Sequence, residues 1–90
     1  MEVEFDPLKR EATLANRGID FADAARVLDG PDFTFEDTRF DYPERRFVTY
    51  GLLDGRLVAV VWAEAGTARR IISMRKANDK EKRRYANRLG

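Results

Sequence analysis

The chain contains no cysteine and no histidine. The first absence removes disulfides, thiolate nucleophiles and the usual zinc frameworks. The second removes every mechanism built on an imidazole acid–base pair or a Ser–His relay. No apolar run reaches the roughly eighteen residues that a membrane helix needs, and no basic-then-apolar leader is visible. A cytoplasmic protein with no membrane contact is therefore expected. No Gly-rich phosphate loop, carboxylate triad for a metal or nucleophile elbow is present. Neither a metal nor another cofactor is expected.

What is present suffices for one core. Ninety residues, 43% hydrophobic, leave no room for a second, so 1–90 reads as a single domain. The net charge of +1 conceals a division. Residues 1–68 hold 8 Lys/Arg against 14 Asp/Glu, a balance of −6, while residues 69–90 hold 9 against 2, a balance of +7. Such asymmetry points to a polyanionic partner; the alternative is a dipolar domain that neutralises itself on folding. At the boundary stands Arg69-Arg70-Ile71-Ile72-Ser73-Met74-Arg75-Lys76. Ile71 and Ile72 suit a buried pleat, whereas Arg69, Arg70, Arg75 and Lys76 do not. This reads as a strand held in a core and aiming cations at phosphate. The competing reading is an edge strand whose arginines block aggregation.

Val3 and Phe5 alternate with acids and suggest a short edge strand. Asp6 caps a helix that Pro7 opens and Gly18 closes, with Leu8, Ala12 and Ala15 as a helical stripe and Leu14 beside it. Asp20 caps a second helix, Phe21 to about Leu28, whose stripe is Phe21, Ala24, Ala25 and Leu28. Together they form a tight helical hairpin. Alternation then predicts strands over 33–37, 46–53, 57–63 and 67–74, with a polar loop over 38–44 and an Asp54-Gly55 hairpin turn. The nearly unbroken apolar run from Leu57 to Ala63 predicts the central strand. A basic helix from Asn78 to Leu89 follows, with Asn78 and Glu81 at capping-box spacing and Tyr85, Ala86 and Leu89 to pack. The predicted fold is α+β: a helical hairpin packed on a four-stranded antiparallel sheet, with a short basic C-terminal helix.

A rigid cation cluster suits RNA cleavage through the ribose 2′-hydroxyl. That reaction needs a base for the hydroxyl proton, a cation for the charged phosphorane and an acid for the leaving oxygen. With no histidine, the candidate bases are Glu44, Lys9 or a tyrosine. Arg46, Arg70 and Arg75 are candidate stabilisers, each able to fork onto phosphate oxygens. Tyr42, Tyr50, Trp62 and Tyr85 are available for base stacking, although Trp62 suits the core better. Glu44, beside Arg45 and Arg46, also reads as a salt-bridged loop anchor, and Lys9 as a solvated surface residue. Strict alternation places Arg70 on the face opposite Ser73 and Arg75, so bringing the three together requires a β-bulge. The residues alone reach an RNA- or DNA-binding α+β domain, with a metal-free nuclease as one form of it.

Four motifs stand in order along nearly the whole chain. They are Phe5-Asp6-Pro7-x-Lys9, Arg17-Gly18-Ile19-x-Phe21-x-x-Ala24, Asp41-Tyr42-Pro43-Glu44-x-Arg46-Phe47 with Gly51 following, and Arg70 to Ala77 with Glu81 and Tyr85 beyond. In these the chain resembles the BrnT toxins of bacterial type II toxin–antitoxin modules, ribonucleases of RelE-like fold. The resemblance implies a toxin that cleaves RNA and restrains translation until its cognate antitoxin binds. That antitoxin is usually a small ribbon-helix-helix protein, through which the complex reaches operator DNA. By motif, Lys9, Glu44, Arg46, Arg70, Ser73 and Arg75 would line the active face. Arg17, Tyr50, Lys76, Arg84 and Tyr85 are the expected RNA contacts. Relatives commonly carry Lys-His-Gly before the second helix, where this chain has Asn16-Arg17-Gly18. Arginine there can hold a phosphate but does not transfer a proton. The alternative to the enzyme is a non-catalytic RNA-binding or antitoxin-assembly module of the same fold.

Overall fold

A computed structural model describes residues 2–89. In chain order the elements are β1 (Val3–Glu4), α1 (Pro7–Arg17), a 3-10 turn (Phe21–Asp23), α2 (Ala24–Asp29), β2 (Asp32–Asp37), β3 (Arg46–Leu53), β4 (Arg56–Ala65), β5 (Ala68–Lys76) and α3 (Asp79–Leu89). Among the described residues the sheet has five strands, in the order β1-β5-β4-β3-β2. The predicted antiparallel meander accounts for β2 to β5. The correction is β1, which pairs parallel to β5 through Val3–Arg69 and Glu4–Arg70 and makes the sheet mixed. A two-residue strand carries too little pattern to specify a partner or a direction.

β4 is central because it is apolar on both faces. Val58, Val60 and Trp62 face one side, where Ile19, Phe21, Ala24, Val27, Leu28, Ile71 and Met74 complete the main core. Trp62 belongs to that core: its indole N–H donates to the buried Thr49 hydroxyl at 2.8 Å, and its ring stacks on Phe47 at 4.6 Å. The β3–β4 hairpin turns at Asp54 (φ 51°) and Gly55 (φ 80°), both left-handed, as the twist of a two-residue hairpin demands. Gly51 has a different reason. A Cβ there would meet Val27 Cγ1 at 2.7 Å, so α2 approaches β3 this closely only because the position lacks a side chain.

The first helix departs from expectation. Its caps are as predicted, with the Leu8 N–H donating to Asp6 Oδ1 at 2.9 Å and the Gly18 N–H to the Leu14 carbonyl at 3.0 Å. No residue of α1 is buried, however, and Leu8 is 75% and Leu14 45% exposed. What attaches α1 is polar. Arg10 forks onto Asp20 at 2.7 and 2.9 Å, and Arg17 donates to the Met74 carbonyl of β5 at 3.2 Å. A stripe of one leucine and two alanines offers little area, and the charged anchors set the helix orientation instead. The helical hairpin is accordingly looser than predicted, and its second member opens as a 3-10 turn.

The opposite face of the sheet carries α3. Tyr85 stacks on Tyr50 at 4.3 Å and on Phe33 at 5.4 Å, in a second cluster with Val48, Leu57, Ala59 and Ala77. The packing expected of Ala86 and Leu89 lies outside the described side chains. The capping box forms: the Glu81 N–H donates to Asn78 Oδ1 at 2.8 Å, and the Asn78 N–H to Glu81 Oε1 at 3.0 Å. No helix among the described residues is long and apolar enough to cross a membrane.

Candidate functional site

α3 covers only one end of its face, and the site is built on the remainder. Between β4 and β5 the register pairs Val61 with Ser73 but Trp62 with Ile71, so Ile72 is an extra residue in a bulge. The bulge turns Arg70 onto the same face as Ser73 and Arg75. Arg70 and Arg46 then flank Ala63 from either side, Ser73 and Val48 flank Val61, and Arg75 and Tyr50 flank Ala59. Because β4 contributes only Ala59, Val61 and Ala63 here, the middle of the face is low. A groove of about 600 Å³ runs over it, lined by Phe35, Val48, Tyr50, Ala59, Val61, Ser73, Arg75 and Glu81, with residues 36–39 at its rim.

Arg75 is not free in this groove. Its guanidinium forks onto Glu81 at 2.7 and 2.8 Å, and Glu81 also accepts from the Tyr50 hydroxyl. The bond from Arg75 pulls the Glu81 carboxyl from the ordinary 4.5 to about 2, and Glu81 raises Arg75 in turn. Burial, reinforced by Glu81, pushes Tyr50 up to about 12. Arg70 lies between two carboxylates, Glu44 at 3.3 Å and Glu4 at 3.4 Å. Glu44 therefore does anchor its loop, from a position beside the cations. Arg46 sits over the Tyr42 ring at 4.3 Å, and its Nε is buried with no protein acceptor. The loop is further fixed by buried Asp37, which Arg39 grips at 2.9 Å through two nitrogens and Tyr42 at 3.1 Å. Those contacts, the Arg39 bond first, hold the Asp37 carboxyl well below the usual carboxylate range.

Ser73 also lines a second depression, of about 230 Å³, with Lys9, Asn16 and Arg17 of α1. The edge of β5 thus carries Lys9 and Arg17 to one side of Ser73 and the main groove to the other. The remaining expected residues lie elsewhere. Lys76 pairs in register with Val58, which faces the main core, and so points away from the groove. Tyr85 is buried with its ring engaged by Tyr50 and Phe33, and Arg84 lies exposed over it at 5.6 Å. Sequence reasoning missed Glu81 as a site residue, although it read Glu81 both as a cap and as part of the fourth motif. The available signal was its rarity, as one of only two acids among residues 69–90. It also missed Phe35, which no motif marks. Among the described residues no three Asp or Glu side chains converge as metal ligands.

A face that carries Arg46, Arg70 and Arg75, with a groove lined by the Ser73 hydroxyl, the Glu81 carboxylate and the rings of Tyr50 and Phe35, can hold a phosphodiester and polarise it. In a comparison with protein families, residues 5–81 match the model described as the ribonuclease toxin, BrnT, of type II toxin–antitoxin system. No curated protein matches the sequence.

Proposed function

Because the chain belongs to the BrnT family, ribonuclease toxins of type II toxin–antitoxin systems, we propose that it is a metal-independent endoribonuclease whose cleavage of RNA inhibits translation. The observation that carries this reading is the bulge at Ile72, which gathers Arg70, Ser73 and Arg75 opposite Arg46 on one open face. An RNA strand lies along that face. Its 2′-oxygen attacks the adjacent phosphorus, the 5′-oxygen leaves, and a 2′,3′-cyclic phosphate and a 5′-hydroxyl remain. Arg46, Arg70 and Arg75 hold the phosphorane charge, and the Ser73 hydroxyl donates to a phosphate oxygen. Glu44 takes the 2′-hydroxyl proton, and Lys9, beside Ser73, protonates the leaving oxygen. Arg17 holds a neighbouring phosphate where relatives commonly have histidine.

The family implies a cognate antitoxin. We take this to be a small ribbon-helix-helix protein, through which the complex contacts operator DNA. Binding selectively to the folded toxin, it raises the melting temperature.

The test incubates purified, antitoxin-free protein with end-labelled single-stranded RNA in EDTA, beside Arg75→Ala. Wild type is expected to yield fragments ending in 2′,3′-cyclic phosphate. Arg75→Ala, still folded by circular dichroism, should lose on the order of a hundredfold in rate. One observation favours a second reading: Glu81 meets the charge of Arg75, and Glu4 and Glu44 meet that of Arg70. In that reading the protein binds RNA, or assembles with its antitoxin, without cutting. Salt-dependent RNA binding with no product from either protein would establish it.

A further inference from the structure

The groove has one wall that the cleavage chemistry does not use. Phe35 stands on β2, an edge strand, and pairs in register with Val48 on the groove face. It is 38% exposed, whereas Tyr50 beside it and Tyr85 beyond are 5% and 9% exposed. Its centroid lies 6.2 Å from Tyr50, with the rings tilted by 22°, and 6.0 Å from Phe33. The ring is therefore braced from behind and open in front. Phe35 lines the open groove beside Val48 and Tyr50, so the free side of its ring faces the same space as Ser73 and Arg75. Phe35, Val48, Val61 and Ser73 form a row across four adjacent strands. Three strand spacings separate its ends by about 14 Å at the backbone. Across the apolar floor from the ring stand Ser73 and Arg75, and Arg39, at the rim, is held in place by Asp37.

An open aromatic ring on one wall and a phosphate-seeking hydroxyl and guanidinium on the other match a nucleotide whose base is not paired. A base inside a duplex has no free face to offer, whereas an unpaired base stacks on an aromatic side chain while its backbone tracks the cations. We propose that Phe35 is the platform for one unpaired base of single-stranded RNA, whose adjoining phosphate is directed to Ser73 and Arg75. This inference rests on the RNA-cleaving reading above and assigns that site a base subsite.

The test uses fluorescence anisotropy with labelled 2′-O-methyl single-stranded RNA, which cannot undergo 2′-hydroxyl attack. A single abasic nucleotide is moved along the strand. For wild type, one abasic position should weaken binding by roughly five- to 150-fold, the range for loss of one stacked base. Phe35→Ala should weaken the intact RNA by a similar factor, and the same abasic position should then cause no further loss. Phe35→Trp should restore the dependence. Phe35→Leu, which keeps apolar bulk at the edge strand, separates folding from stacking and should behave as Phe35→Ala does. If the two losses multiply, or if Phe35→Ala and Phe35→Leu bind as wild type does, the subsite is refuted while RNA binding stands. If wild type binds none of these RNAs, the RNA reading and the subsite fall together.

Discussion

Glu81 joins two duties in one side chain. It closes the capping box of α3 and accepts from both Arg75 and Tyr50, so helix, strand and candidate site share a carboxylate. Its value of about 2, against an ordinary 4.5, makes it a pH-dependent contributor. A carboxyl depressed by folding adds stability that is complete above its ordinary value and lost as pH falls through the folded one. The window is therefore about pH 4.5 down to 2. Asp20, held at about 2 chiefly by Arg10, adds to the same window, so the variant must be read against wild type. Glu81→Gln is expected to melt lower than wild type at pH 7, with the gap narrowing as pH falls through that window. A gap that stays constant down to pH 2 would place the stabilisation in packing and not in charge.

At the scale of elements, the two helices preceding β2 differ in how they are held, and substitutions separate them. α2 is pressed into β3 at Gly51, where Val27 leaves no room for a methyl group. Gly51→Ala should destabilise by about 1–3 kcal/mol in urea denaturation, the usual range for overpacking. An unchanged midpoint would mean that α2 moves away without loss. α1 presents Leu8 to solvent, so Leu8→Ser should change stability by no more than about 0.5 kcal/mol. A drop of about 2 kcal/mol or more would mean that the apolar stripe of α1 is buried after all. The bulge in β5 is the third element-scale device. One inserted residue reverses the facing of Arg70 relative to Ser73 and Arg75 and leaves the core contacts of Ile71 and Met74 intact.

Across the whole molecule, the acidic and basic parts of the chain largely keep to themselves. Arg10, Arg26, Arg39 and Arg45 pair with acids of residues 1–68, and Arg75 and Lys82 with acids of residues 69–90. Among pairs between described residues, Arg70 alone links the two parts, through Glu4 and Glu44. Folding thus leaves much of the basic excess at the C-terminal end available to a polyanion. If three arginines (Arg46, Arg70 and Arg75) each neutralise a phosphate, log affinity for single-stranded RNA should fall with log salt at a slope of about −2. Titrations at several salt concentrations measure it. A slope near zero would remove phosphate contact from the binding.

The sequence by itself determined the elements and their chemistry. β3 was legible to the residue from its alternation, the Asp54-Gly55 turn from its residue types, and the centrality of β4 from its unbroken apolar run. These are local properties, written in the order of neighbours along the chain. The motifs carried the family, and the clustered arginines marked β5 as the strand to watch. Tertiary structure decided which side chains meet. Only packing against β4 shows that Ile72 bulges and that Arg70 therefore shares a face with Arg75. Only the return of α3 across the sheet shows that Glu81 reaches Arg75, or that Tyr85 is already occupied by Tyr50. The physical reason is the range of the interactions. Caps, turns and alternation act over a few residues, whereas the face a strand residue adopts depends on partners that the chain brings back from elsewhere.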